Sequence, residues 1–110
     1  MTPASLAVRS VETDELEQLI TTEPLLVVDY TATWCDPCRV IAPAIERLAT
    51  EFENHLVVVT VDLDQNKASA SHHNIRSLPT VLIFKRGKEV ARIIGKAAYE
   101  TFRNTLDQHL

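Results

Sequence analysis

Apolar residues recur along the chain in two rhythms. In three places they are nearly consecutive: Leu25-Leu26-Val27-Val28-Asp29-Tyr30, Leu56 to Leu63, and Thr80 to Lys85. Runs of that length without alternation predict strands covered on both faces. Elsewhere they return every three or four positions, as on one face of a helix. Leu16, Leu19 and Ile20 form one such set, Val40, Ile41, Ala44, Ile45, Leu48 and Phe52 a second, and Tyr99, Phe102, Leu106 and Leu110 a third.

Local signals fix the boundaries. Ala4 to Val8 reads as a short edge strand. Thr13 is the expected N-cap of the first helix, with Asp14 and Glu15 in its first turn, where negative charge suits the helix dipole. That helix ends near Thr22, before Pro24. Pro43 falls inside the second helical pattern and predicts a kink. Asp64 or Asn66 is placed to cap a short polar helix running to His73. Arg86-Gly87-Lys88 predicts a tight turn returning through a hairpin partner, Glu89 to Ile94. The order is βαβαβαββα, an α/β chain with a mixed sheet and helices on both faces.

At 110 residues with 45% hydrophobic content the chain fits one domain, residues 1–110, large enough to bury a core without covalent staples. The two cysteines are therefore free for chemistry. Eleven basic against fifteen acidic residues leave a net charge of -4, which argues against a general phosphate-binding surface and so against nucleic acid as a partner. No apolar run is long enough to cross a bilayer, and Met1 to Ser10 lacks the apolar stretch of a signal peptide. The expected compartment is the cytoplasm, where an exposed disulfide is usually transient and catalytic.

The chemistry concentrates at Trp34-Cys35-Asp36-Pro37-Cys38. Cysteines spaced by two residues between a strand and a helix read as a dithiol redox centre. Cys35 stands at the helix start, where unpaired N–H groups and the dipole favour a thiolate. Cys38 lies one turn inside, where better shielding is expected. Asp29 is the odd residue in an apolar run. Buried without a cation, its carboxyl is expected to have a raised pKa, which suits a proton acceptor near neutrality. A Cys₂His₂ metal set of Cys35, Cys38, His72 and His73 is set aside, because adjacent histidines diverge on a helix and metal fingers space them by three to five residues. His72 and His73 are expected on a solvated helix face, and His55 and His109 on the surface. No metal and no cofactor is expected.

Over nearly its whole length the chain resembles the thioredoxin family. The resemblance rests on Val28-Asp29-Tyr30, Trp34-Cys35-x-Pro37-Cys38, Ala42-Pro43, Asp62-x-Asp64, Ile75-Arg76-x-x-Pro79-Thr80, Phe84-Lys85-x-Gly87 and Gly95. It implies a thioredoxin fold, a central mixed sheet of four to five strands flanked by helices on both faces. It also implies a nucleophile at Cys35, a resolving thiol at Cys38 and a proton acceptor at Asp29. A cis Leu78–Pro79 bond is implied too, with Trp34, Pro37, Leu78, Pro79 and Gly95 forming the substrate-docking surface. Asp36, between the cysteines, is expected to join it by selecting against acidic substrates.

Three positions depart from the family pattern: Asp36 replaces the usual glycine, Thr31 a common aromatic, and Thr60 a lysine that usually pairs with the buried aspartate. A carboxylate about 6 Å from the thiolate, at an effective dielectric of about 40, repels it by about 1.4 kcal/mol, or about one pKa unit. From the value of about 7 that the resemblance carries for this cysteine, the thiolate fraction at neutrality falls about fivefold. Higher nucleophilicity recovers about threefold of that, so the net penalty is about twofold. Lys96 is a candidate for offsetting the charge.

The function expected is thiol–disulfide oxidoreduction: a protein-disulfide reductase cycling Cys35 and Cys38 between dithiol and disulfide. Its expected partners are protein disulfides and, by resemblance, a flavin-dependent thioredoxin reductase as electron donor. A monomer is expected. The alternative, from another class, is a redox-weak binding or chaperone module that uses the groove around Trp34 and Pro79.

Overall fold

A computed structural model describes residues 7–110. Its elements are β1 (Val8–Ser10), α1 (Thr13–Thr22), β2 (Leu25–Thr31), α2 (Asp36–Glu51), β3 (Val57–Asp62), α3 (Lys67–His72), β4 (Thr80–Lys85), β5 (Lys88–Ile94) and α4 (Tyr99–Asp107). This is the order read from the sequence. The start of the expected edge strand, 4–6, lies outside the described residues, and β1 begins at Val8.

The strands form one five-stranded sheet in the order β1-β3-β2-β4-β5. β3 pairs in parallel with both β1 and β2, while β4 pairs antiparallel with β2 and β5. β2 is therefore central, with Asp29 set between Thr60 and Val81. Side chains alternate along it. Leu25 and Val27 join Ile41, Ile45, Leu48, Phe102 and Leu106 in a core under α2 and α4. Leu26, Val28 and Tyr30 join Leu16, Ile20 and Ala70 in a second core under α1 and α3. Two cores, one on each face, are why the strand is apolar at consecutive positions.

Several boundaries differ from the sequence reading for identifiable reasons. Thr13 is the first residue of α1, and Glu12 is its N-cap. Asn66 supplies the missing cap from a distance, its Oδ1 accepting from both the Thr13 N–H and the Thr13 hydroxyl at 2.9 Å. Asn66 also occupies the N-cap of α3, as expected, yet its side chain serves α1. α2 is continuous through Pro43. Val40, placed on the buried face by its spacing, is 63% exposed, and Leu110 lies beyond α4 and is also exposed. Lys85 and Lys88 pair directly across Arg86 and Gly87, both at positive φ, which is the backbone of a two-residue hairpin turn.

One core position is not apolar. Asp29 is 3% exposed, and its Oδ1 has no hydrogen-bond partner among the described residues. Burial alone pushes its pKa from 3.8 up to about 7. The folded chain thus holds a proton that the unfolded chain has already released. Stability is unpenalised below the unfolded pKa, falls as pH rises from 3.8 to about 7, and is flat above that. The full penalty is about 4 kcal/mol as an upper bound, at about 1.4 kcal/mol per unit. Asp29→Asn is expected to remove this slope and to raise stability above neutrality by about 2–4 kcal/mol. Urea unfolding of both proteins at pH 5 and pH 8.5 checks it, and equal stability at the higher pH would mean that the carboxylate is solvated.

Candidate functional site

β2 ends at Thr31, and the chain turns through Ala32 to Trp34 before α2 begins. The turn is closed by the Cys35 N–H donating to the Ala32 carbonyl at 3.1 Å. Cys35 is the N-cap of α2 and Pro37 lies in its first turn, where a missing N–H costs nothing. Cys35 and Cys38 are joined as a disulfide with their Cα atoms 5.3 Å apart. The Cys38 N–H points at the Cys35 sulfur from 3.2 Å. One of the two sulfurs therefore has a backbone donor at the positive end of a sixteen-residue helix. That placement favours negative charge on Cys35.

The expected difference in shielding is not found. Both cysteines are 3% exposed in the disulfide form, packed with Ala32 and against Leu78. In the disulfide form Cys35 belongs to the same small apolar cluster as Cys38. The asymmetry between the sulfurs thus lies in hydrogen bonding, not in exposure.

The other predicted residues gather around this pair. The Leu78–Pro79 bond is cis, as the resemblance implied. Leu78 packs against the disulfide cluster, whereas Pro79 is itself buried. Gly95, at φ +87°, donates its N–H to the Pro79 carbonyl at 2.8 Å, so β5 delivers it beside the proline. Trp34 is 63% exposed, and its indole N–H donates to Asp64 at 2.7 Å. Asp64 is in turn held in the loop after β3, where its own N–H donates to the Asp62 carboxylate. Asp29, in phase with Leu25 and Val27 on β2, belongs to the α2 side of the sheet, the side that carries the cysteines.

Two residues were missed by reading the sequence. Asp64 stands in the sequence as one end of Asp62-x-Asp64, and its hold on Trp34 follows from the β3–α3 loop. Arg39 was not singled out, yet it pairs with the Asp36 carboxylate and donates to the Thr33 carbonyl. The i,i+3 spacing of Asp36 and Arg39 was the available signal. Arg39, not Lys96, compensates the aspartate. Seen from Cys35 the isolated carboxylate becomes one end of an ion pair, and the twofold penalty shrinks accordingly.

The histidines also differ from the expectation. His72 and His73 do not diverge: their rings meet edge to face with centroids 4.7 Å apart. α3 ends at His72, and His73, its C-cap, turns inward, with its side chain only 11% exposed, against Phe84 and Glu17. Among the described residues, the one cluster with metal-ligating geometry contains Glu17, His72 and His73 and neither cysteine.

No helix among the described residues is long and apolar enough to cross a membrane. The thioredoxin family model matches residues 7–108. A thioredoxin from Griffithsia pacifica is 41% identical over 100 residues, covering 91% of this chain and 92% of that protein. Thioredoxin 1 of Synechococcus elongatus is 42% identical over 85 residues, covering 77% and 79%. The solved thioredoxin of Plasmodium falciparum superposes with a TM-score of 0.85 at 28% identity, over 93% of this chain and 99% of that one. With the disulfide at the head of α2 and the cis proline against it, these likenesses place the chain in the thioredoxin family, as a thiol–disulfide oxidoreductase acting on protein disulfides.

Proposed function

We propose that the chain works as a single thioredoxin domain, in the reducing direction, with Cys35 as nucleophile and Cys38 as resolving thiol. The observation that carries this assignment is the Cys38 N–H aimed at the Cys35 sulfur at the N-cap of α2. In the dithiol state the Cys35 thiolate attacks one sulfur of a protein disulfide, forming a mixed disulfide and releasing the other substrate sulfur as a thiolate. Cys38, after losing its proton, attacks the Cys35 sulfur. The second substrate thiol leaves, and the Cys35–Cys38 dithiol has given up two electrons: it becomes the disulfide as the substrate disulfide becomes two thiols.

Asp29 takes the Cys38 proton in this scheme. A pKa of about 7 leaves about half of it ionised at neutrality, the condition in which a carboxylate both accepts and returns a proton. Trp34, Asp36, Pro37, Leu78, Pro79 and Gly95 form the docking surface. Trp34 offers an exposed ring braced by Asp64, and Leu78 reaches the dithiol directly. The buried Pro79 acts through its backbone and its neighbours. Electrons return to the disulfide from a thioredoxin reductase, and the protein acts as a monomeric electron carrier in the cytoplasm. Among the described residues nothing favours a binding module without turnover.

Cys35→Ser is expected to reduce insulin-disulfide reduction to the uncatalysed level. Cys38→Ser instead accumulates a mixed disulfide visible by mass spectrometry. Turnover surviving in Cys35→Ser would reverse the assignment of roles.

The Asp36–Arg39 pair makes a separate prediction. Arg39→Ala bares the carboxylate and slows attack by about twofold at pH 7, while Asp36→Asn alone changes little and the double variant recovers the parent rate. Stopped-flow reduction rates of the four proteins form the cycle, and strict additivity of the two single changes would remove the coupling.

A further inference from the structure

Glu17 on α1 and His72–His73 at the end of α3 stand on the face of the sheet opposite α2, away from the helix that carries the dithiol. His73 Nε2 lies 2.8 Å from a Glu17 carboxylate oxygen, and one donor atom from each of the three residues lies within 4.8 Å of the others. We propose that these three side chains bind a divalent ion of the zinc class, fastening α3 to α1.

The donor set decides the ion. Two imidazole nitrogens and one carboxylate oxygen suit zinc and its borderline neighbours, and are too nitrogen-rich for magnesium or calcium. Tetrahedral zinc, with bonds of about 2.0–2.2 Å, sets its donors about 3.3 Å apart. With the closest pair at 2.8 Å and all three donor atoms within 4.8 Å of one another, the closest pair opens slightly and any wider pair closes by at most about 1.5 Å.

The side chains that must move are the ones free to do so. Glu17 is 43% exposed on its side chain, and His72 is exposed. His73 is the fixed point. Its ring is set edge-on to Phe84, and its backbone carbonyl accepts from Arg92 at 2.7 Å. Arg92 would repel an ion were it unpaired, but two Glu89 oxygens hold its guanidinium at 2.8 and 2.9 Å. A cleft of about 370 Å³ runs past Glu17 and His72 between α1 and α3, leaving room for a water as the fourth ligand.

α3 is a segment that gains from such a tie. It is six residues long and joined to the rest by few polar contacts, among them the Tyr30 hydroxyl to Ser69 at 2.7 Å and Asn66 to Thr13. An ion held between Glu17 and the end of α3 fastens its C-terminal side, where Asn66 already fastens its start.

The test uses the oxidised protein, in which the Cys35–Cys38 disulfide removes the thiolates as competing ligands. Calorimetric titration with zinc is expected to show one ion per chain and a higher melting temperature. Glu17→Gln and His72→Ala, both at exposed positions, are each expected to weaken binding by about tenfold or more and to abolish the thermal shift. The His55→Ala/His109→Ala double variant is expected to bind as the parent does. Bound cobalt gives the visible bands of a low-symmetry site, which His72→Ala loses. Absence of saturable binding, or binding lost in the His55/His109 variant and kept in His72→Ala, overturns the proposal.

Discussion

The structure depends on β2 being covered on both faces. A strand with helices above and below has no side that tolerates water, so each residue from Leu25 to Tyr30 must be accommodated by packing. Alternation then assigns the residues to two separate cores and puts Asp29 in the same phase as Leu25 and Val27, on the side of α2. The same strand hands the chain directly to the turn that starts α2. One strand thereby sets the position of the helix tip, the sulfur at that tip and the carboxyl on the same side. The reactive pair stands on a framework that cannot shift without exposing apolar surface.

The dithiol shows how a helix terminus can distinguish two sulfurs that burial does not. With both cysteines equally enclosed in the disulfide form, accessibility gives no order of attack. The N-cap position separates them by hydrogen bonding. The sulfur at the N-cap faces an N–H that has no intrahelical acceptor, while the other belongs to the first turn. A charge on the former is met by a donor already in place, so the polar environment needs little rearrangement when the bond opens.

Much of this was legible in the sequence. The three inner strands followed from continuous apolar runs, three of the four helices from three- and four-residue spacing, and the dithiol from its spacing between a strand and a helix. The features that escaped are those that depend on where a loop carries a side chain. Asn66 reads as the cap of the helix it precedes, yet its amide serves Thr13, more than fifty positions earlier. His73 reads as one more helical residue, but the helix stops one position before it and the ring turns inward. Val40 satisfies the helical period and still faces solvent. Periodicity describes one element at a time, whereas these contacts lie between elements.

The departures from the family pattern do not all have the same outcome. Asp36 brings a charge to the rim of the site, and Arg39, one turn along, answers it; both side chains are largely exposed, so solvent also screens the pair. Thr60 leaves Asp29 without the cation that the resemblance implies there, and no side chain among the described residues pairs with its Oδ1. In the ladder Asp29 is level with Thr60 and Val81, neither of which carries charge. A lysine in place of Thr60 would favour the carboxylate and pull its pKa down, against burial, which pushes it up. With the lysine gone, burial acts alone, and the group titrates at about 7. The cost falls on stability, since burial disfavours the ionised form of an unpaired carboxyl. What results is an acid that changes state near neutrality, held there by burial with an uncharged threonine beside it.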